Sequence, residues 1–253
     1  MLRQERLQWI RNQLRADRVA QIHELADRLD VSESTIRRDV TDLEHRGLVK
    51  KVFGGAVSTE APADTERGNL EPSVAARASV HVREKRLIAA YAASLINRDD
   101  FVYLDAGTTT GFMIDYLTCR DAVYVTNGLR HALRLSARGF EVYLLSGRSR
   151  AVTEAVTGAA AVESMRRYDF TKAFLGTNGI HLEKGLTTPD IEEGLVKSEA
   201  VRHAYITYIT ADSSKFGLST AARFADLADV CVLTEHCPDA KYRDVTIIKE
   251  VKE

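Results

Sequence analysis

Residues 31–55 read VSESTIRRDVTDLEHRGLVKKVFGG, and this stretch decides how the first part of the chain folds. Val31 is apolar, Ser32 is a capping residue, and Ile36 stands where the fourth helical residue folds back on Val31. A helix therefore starts here with a cap and a hydrophobic staple. Ile36, Val40 and Leu43 recur at steps of four and three, so they share one face. Gly47 supplies the left-handed residue that ends the helix. At about 100° per residue, Ser34, Arg38, Thr41 and His45 lie opposite that stripe, Thr35 and Arg37 flank them, and Asp39, Asp42 and Glu44 point sideways. No acid stands on the outermost face.

The neighbours turn one amphipathic helix into a domain. Upstream, Leu7, Ile10 and Leu14 mark a first helix, Arg18 to Ala20 a short strand, and Ile22, Leu25, Ala26 and Leu29 a second helix. Asp30 and Val31 make the turn. Downstream, Leu48 to Phe53 alternates imperfectly around Lys50 and Lys51 and runs into Gly54-Gly55, a tight-turn signal, before Ala56-Val57. This order is a winged helix-turn-helix. Arginine bonds guanine bidentately in the major groove, and the hydroxyls of Ser32, Ser34 and Thr35 at the helix start suit phosphates or base edges. Lys50 and Lys51 on the wing suit phosphates, where they add affinity that salt weakens. A merely solvated helix explains two exposed arginines, but not the elements around them.

Size and charge set bounds. The chain has 253 residues, 45% of them hydrophobic, which is enough for two cored domains. With 35 basic and 36 acidic residues it is not built to coat nucleic acid indiscriminately. The basic excess is local: residues 1–56 hold 11 Lys and Arg against 9 Asp and Glu, a formal +2, and the remainder carries 24 against 27, a formal −3. No run of about 18 apolar residues and no charged leader before a hydrophobic stretch is present, so a cytoplasmic protein without membrane contact is expected. Cys119, Cys231 and Cys237 fit no zinc spacing and read as small idle thiols. No metal and no cofactor is expected.

From 58 to 80 the periodicity fades among Pro62, Gly68 and Pro72, which predicts a linker, ordered near its end, between a DNA-binding domain at 1–57 and an α/β domain at 81–253. Beyond it Leu87, Ile88, Tyr91, Ala92 and Leu95 give a helix. Strands are predicted at 101–104, 122–125, 141–145, 170–175, 205–211 and 229–234, with helical stretches between them. That alternation predicts βαβ units and a mostly parallel sheet, in which ligands bind beyond the carboxyl ends of the strands. Those ends are polar and glycine-rich. The first is Asp105-Ala106-Gly107-Thr108-Thr109-Thr110, where loop amides, hydroxyls and a helix start can converge on a phosphate, though Thr as an ordinary cap explains it as well. The others are Thr126-Asn127-Gly128, Ser146-Gly147-Arg148, Gly176-Thr177-Asn178-Gly179 and Asp212-Ser213-Ser214-Lys215. Asn and Thr can meet sugar hydroxyls there, while Arg148 and Lys215 can neutralise a phosphate dianion. Arg150 and Lys197 are weaker candidates.

The segment ELADRLDVSESTIRRDVTDLEHRGLVKKVFGGA resembles the amino-terminal signature of the DeoR family of bacterial sugar-metabolism regulators, whose Ser-x-x-Thr-Ile-Arg-Arg-Asp core is Ser32 to Asp39 here. Residues from about 75 to 250 resemble that family's effector domain, itself similar to ribose-5-phosphate isomerase, glucosamine-6-phosphate deaminase and CoA-transferase folds. The resemblance implies a repressor released from operator DNA by a phosphorylated sugar that the loop from Asp105 to Thr110 faces. Related enzymes use a carboxylate as general base in the loop matching Gly176 to Gly179. Asn178 stands there, and an amide has no pKa near working pH, so no enzyme activity is expected. The alternatives are a sugar-phosphate isomerase or deaminase with an added DNA-binding head, and an acyl-CoA-binding member of the same broad fold. A single helix has a small footprint, so a homodimer or homotetramer is expected, with two recognition helices about one DNA turn, roughly 34–36 Å, or a multiple of it apart.

Overall fold

The computed structural model describes residues 3–17, 19–52, 54–58 and 73–252. They fall into two compact units, one within 1–70 and one within 71–253. In the first, α1 (Arg3–Asp17), β1 (Val19–Gln21), α2 (Ile22–Leu29) and α3 (Glu33–His45) precede a hairpin of β2 (Val49–Val52) and β3 (Gly55–Ser58). β3 lies between β1 and β2, antiparallel to both, so the wing is closed onto the strand that follows α1. Arg18 and Phe53, counted in the expected strands, lie outside the described residues, as do 59–72 of the expected linker.

The helices meet where the periodicity places them. Leu7, Ile10 and Leu14 of α1, Ile22 and Leu25 of α2, and Ile36, Val40 and Leu43 of α3 form one core, with Val49 and Ala56 of the wing. Each buried Leu or Ile contributes about 1.5–3 kcal/mol by leaving water. The Ser32 side chain accepts from the Thr35 amide at 3.3 Å, capping α3. Gly47 follows α3 at φ 73°, in the left-handed region that ends a helix. At Gly55 the reason for glycine is proximity, since a Cβ would lie 2.4 Å from the Ala20 carbonyl oxygen.

The second unit runs α4 (Val74–Ala78), α5 (Val82–Ser94), β4 (Phe101–Leu104), α6 (Thr108–Tyr116), β5 (Val123–Thr126), α7 (Leu129–Ala137), β6 (Glu141–Leu144), β7 (Arg148–Arg150), β8 (Ala155–Thr157), α8 (Ala159–Met165), β9 (Phe170–Leu175), β10 (Gly179–His181), β11 (Gly185–Thr188), α9 (Ile191–Arg202), β12 (Ala204–Thr210), β13 (Ala222–Ala225), β14 (Cys231–Thr234) and β15 (Ile247–Glu250). Seven strands form one sheet in the order β15-β14-β12-β9-β4-β5-β6, and every pairing in it is parallel. The inner strands are covered on both faces, which is why they read as apolar runs, while the edge strands β6 and β15 stay partly exposed. Along β4, Val102 and Leu104 enter the core that holds Ile88, Met113 and Leu135, while Tyr103 enters the opposite core with Met165, Val196 and Ile209.

Two features depart from the sequence reading and one sharpens it. Residues 74–78, in the part of the linker expected to be ordered, form α4, whose Val74 amide donates to the Val152 carbonyl of this unit at 3.2 Å. β15 adds a seventh strand. The polar segments after β6 and β9 are not plain loops, because β7 pairs with β8, and β10, β11 and β13 make an antiparallel sheet. Among the described residues no helix is long and apolar enough to cross a membrane.

Candidate functional site

On α3 the burial of one acid leaves the cations outside. Asp39, expected at the side of the helix, is 2% exposed and accepts from Arg6 Nε of α1 at 2.5 Å, with Arg3 Nε at 3.7 Å. The reason is local: α1 packs beside Leu43 and brings its own guanidinium there, and the Asp39 carboxylate holds the Arg6 charge more firmly than water does. Ser32, Ser34, Arg37, Arg38 and His45 are exposed and Thr35 is half-buried. Arg37 pairs with Glu33 at 3.0 Å, while Arg38 has no ion-pair or hydrogen-bond partner among the described residues. Thr41, expected on the outermost face, is instead half-buried. Its hydroxyl donates to the Arg37 carbonyl at 2.6 Å and accepts from Lys51 Nζ at 2.5 Å. Glu44 joins the same contact by accepting from the Lys51 amide at 2.8 Å, which seats the wing on α3. Lys50 is exposed and has no such partner.

In the second unit the strand order reverses between β4 and β9: β5 and β6 extend one way, β12, β14 and β15 the other. The carboxyl ends at that switch point are where a parallel sheet offers a crevice. Asp105 fills its floor, and its role differs from the expected one. The carboxylate, 2% exposed, accepts from the amides of Gly107 at 2.9 Å and Gly176 at 2.7 Å, from Thr110 Oγ1 at 2.9 Å, and from Lys197 of α9. Burial pushes its pKa up, but the Lys197 charge and the two amides outweigh that and hold it below the usual carboxylate value. Asp105 thus shapes the loop and has no oxygen to spare. Lys197, the weaker candidate by sequence, is the residue that locks it, with Nζ also donating to the Gly176 carbonyl at 2.8 Å.

Several other polar side chains at this rim are also spent on the protein itself. Asn127 accepts from the Ala106 amide at 3.0 Å and donates to Val156 O, and Thr126 Oγ1 accepts from the Gly128 amide. Asn178 accepts from Thr188 Oγ1 at 3.3 Å, and Asp212 caps the turn at Ser214. Arg148 lies away from the rim floor: it begins β7, is exposed, and pairs with Glu192 at 2.5 Å. Arg150 pairs with Glu193 at 3.1 Å. Gly147 adopts φ 142°, with Thr157 O 2.7 Å from where a Cβ would be, so it binds by backbone or not at all. Thr109 and Thr110 are buried. The half-buried Thr108 and Lys215 keep their side chains without partners among the described residues, and the first amides of α6 have no intrahelical acceptor.

Beside Thr108 lies a cavity of about 200 Å³ lined by Val74 and Ala78 of α4, Gly107 and Phe112, and Arg130 and His131 of α7. His131 was not singled out from sequence. Its Nε2 lies 3.0 Å from the Gly107 carbonyl, and burial pushes its pKa down, so it sits neutral behind the α6 loop. A larger groove of about 550 Å³ runs past Tyr205, Cys231 and Ile247 at the amino ends of the strands, the end where parallel sheets do not place ligands.

Together these features define a class: a winged helix-turn-helix joined in one chain to a parallel α/β unit whose strands end in polar, glycine-rich segments. The profile of the DeoR-like helix-turn-helix domain matches residues 6–61, and that of the DeoR C terminal sensor domain matches residues 80–236. The chain belongs to the DeoR family of transcriptional regulators. It is 41% identical over the whole of both chains to the uncharacterised HTH-type transcriptional regulator FruR of Bacillus subtilis (strain 168). It is 32% identical to the lactose phosphotransferase system repressor of Staphylococcus epidermidis (strain ATCC 35984), over 85% of this chain and 84% of that one. A ribose 5-phosphate isomerase A from Neisseria gonorrhoeae superposes with TM-score 0.37 and 15% identity over 53% of each chain.

Proposed function

We propose that this protein represses a sugar-utilisation operon, holding operator DNA with α3 and the wing and letting go when a phosphorylated sugar fills the rim beyond β4. The observation that carries the reading is the contrast on α3: Arg38 is outermost and uncommitted while the neighbouring acid is buried. Arg38 and Arg37 read base edges, Ser32, Ser34, Thr35 and His45 reach backbone or bases, Lys50 meets phosphate, and Thr41 and Lys51 set the wing's angle. The phosphate sits on the α6 amides and Thr108 with Lys215 opposite. Asn127, Asn178 and Asp212 hold the shape of the sugar end. Relatives named as sugar-system repressors support the reading. Working on chromosomal DNA places the protein in the cytoplasm, and operator affinity calls for a homodimer or homotetramer.

No turnover belongs to this site. Asn178 offers no base, and Asp105, the buried acid that accepts from the Gly176 amide, is already committed to Lys197 and two amides. The test is gel retardation with the DNA upstream of the gene, repeated across sugar mono- and bisphosphates. One of them is expected to weaken binding by roughly 5- to 150-fold, the range of a coupling of about 1–3 kcal/mol. Thr108→Val and Lys215→Ala should keep operator binding and lose that release. Normal release by both would move the effector elsewhere, and conversion of any of these sugars in a coupled assay would make the protein an enzyme.

A further inference from the structure

The large parallel sheet has two edges, and they are finished differently. At one of them stands β15, which carries Lys249 and Glu250. The Val251 amide donates inward to the Thr234 carbonyl at 2.8 Å, so Ile248 and Glu250 turn their backbone groups outward. That side is guarded. Arg243, in the short turn Ala240–Asp244, donates to the Ile248 carbonyl at 3.4 Å and holds the Glu250 carboxylate at 3.0 Å. Charge and a covering turn are two ways in which a sheet keeps its edge from pairing.

β6, at the other edge, has no such guard. The Leu145 amide that follows it donates to the Thr126 carbonyl at 2.9 Å, so residues 141, 143 and 145 turn their backbone to β5, and Val142 and Leu144 turn theirs out. Among the described residues nothing meets the amides and carbonyls of Val142 and Leu144. Tyr143 and Leu144 are 46% and 45% exposed, one on each face of the sheet. The Tyr143 ring lies 6.4 Å from that of Tyr168, while Leu144 shares the face on which Val142 packs against the core of Leu135. Glu141, the one charged residue of β6, accepts from the Tyr143 hydroxyl of its own strand at 2.9 Å. A bare, apolar edge of this kind accepts a further strand.

We propose that β6 of a second copy closes this edge, the two strands running antiparallel about a two-fold axis that passes through Tyr143, normal to the sheet. The strand is complementary to itself in that register. Val142 stands opposite Leu144 of the second copy, and the outward amide and carbonyl of each meet a carbonyl and an amide, so the backbone partial charges match sign for sign. Leu144 then covers Val142 of the second copy on one face, and the two Tyr143 rings meet at the axis on the other. Glu141 falls opposite Leu145 of the second copy, which keeps the like charges from facing each other. The two-fold also closes the assembly. Joining β6 to the β15 edge of a next copy would run on into a filament, and Arg243 stands in its way. The proposal names the surface of the homodimer that the operator reading calls for. It rests on that reading for its use and not for the pairing, which needs no DNA.

The experiment is sedimentation of the full chain at micromolar concentration without DNA, which should give a dimer or a tetramer. Tyr143→Lys sets two ammonium groups opposite each other at the axis and should raise the dissociation constant of this contact roughly tenfold or more. Leu144→Pro removes an amide that β5 does not use, so the chain should fold and pair as weakly. Tyr143→Cys tests the register: opposed residues at such an axis have Cα atoms about 4.5 Å apart, within the span of a disulfide, so mild oxidation should join two chains. The unsubstituted protein, with Cys119, Cys231 and Cys237, should not be joined. A monomeric unsubstituted chain would overturn the pairing. So would a dimer whose dissociation constant neither Tyr143→Lys nor Leu144→Pro changes, or one that oxidation joins through Tyr205→Cys in the groove at the amino ends and not through Tyr143→Cys. A protein joined through Tyr143→Cys that fails to retard the upstream DNA would uphold the pairing and bring down the operator reading instead.

Discussion

Each unit buries one aspartate at 2% exposure against a cation from another helix, Asp39 against Arg6 in the winged helix and Asp105 against Lys197 in the α/β unit, yet the consequences are opposite. On α3 the buried acid clears negative charge from the outer face and leaves Arg38 and Lys50 free. At the carboxyl ends of β4 and β9 the acid gathers amides, a hydroxyl and an ammonium to itself, and leaves Thr108 and Lys215 as the uncommitted groups. The same device leaves cations uncommitted in one place and builds the floor of a loop in the other.

The largest expected effect comes from breaking the second pair. Asp105→Asn strands Lys197 in a buried position and should destabilise the α/β unit by about 3–5 kcal/mol, read by chemical denaturation. Because the folded pKa of Asp105 lies below its unfolded value, the stability it contributes is complete above the ordinary carboxylate range and is lost as pH falls through the folded value. Stability measured across acid pH should therefore decline in the unsubstituted protein and decline less in the variant. An equally steep acid decline in both would assign the loss to other carboxylates.

Asp39→Asn is the matching break in the first unit. Arg6 and Lys197 are about equally sheltered, with side chains 13% and 12% exposed, but Asp105 also accepts from two amides and a hydroxyl, so the cost at Asp39 should be smaller, about 1.5–3 kcal/mol for a hydrogen bond between charged groups. Operator affinity should fall only as far as folding does. A change in base preference on a folded Asp39→Asn protein would mean that the acid orients the reading face as well as anchoring it.

The wing sharpens the comparison at the smallest scale. Lys50 is free, whereas Lys51 is bonded to Thr41 and lies 4.0 Å from Glu44. Lys50→Ala should weaken binding to all DNA sequences alike and reduce the salt slope by about one, whereas Lys51→Ala should shift the slope less. Equal slope changes would show that Lys51 leaves Thr41 when DNA arrives.

The two units also differ in how far their sequence could be read. α3 was legible because a helix face is a local matter: a staple at Val31, a stripe at Ile36, Val40 and Leu43, and a stop at Gly47 fix what points outward without knowledge of the rest. The large-sheet strands β4, β5, β6, β9, β12 and β14 were legible for the same reason. The rim was not, because whether Asp105 is free depends on Lys197, 92 residues away, and whether Asn127 is free depends on Ala106 and Val156. The signal that existed was a cation on an apolar stripe: Lys197 lies next to Val196 and one turn before Ala200. β7, β10 and α4 were hidden by shortness, three to five residues that carry no full period.

The central claim is that Arg38 reads DNA and does nothing else. The direct measurement is a binding titration of the unsubstituted protein and Arg38→Ala against the upstream DNA and a shuffled duplex, with folding stability measured on the same samples. Stability should agree within about 0.5 kcal/mol, since no partner is lost, while specific affinity should drop by about 1–3 kcal/mol and the preference over shuffled DNA should shrink. Unchanged affinity and unchanged preference in the folded variant would contradict the account.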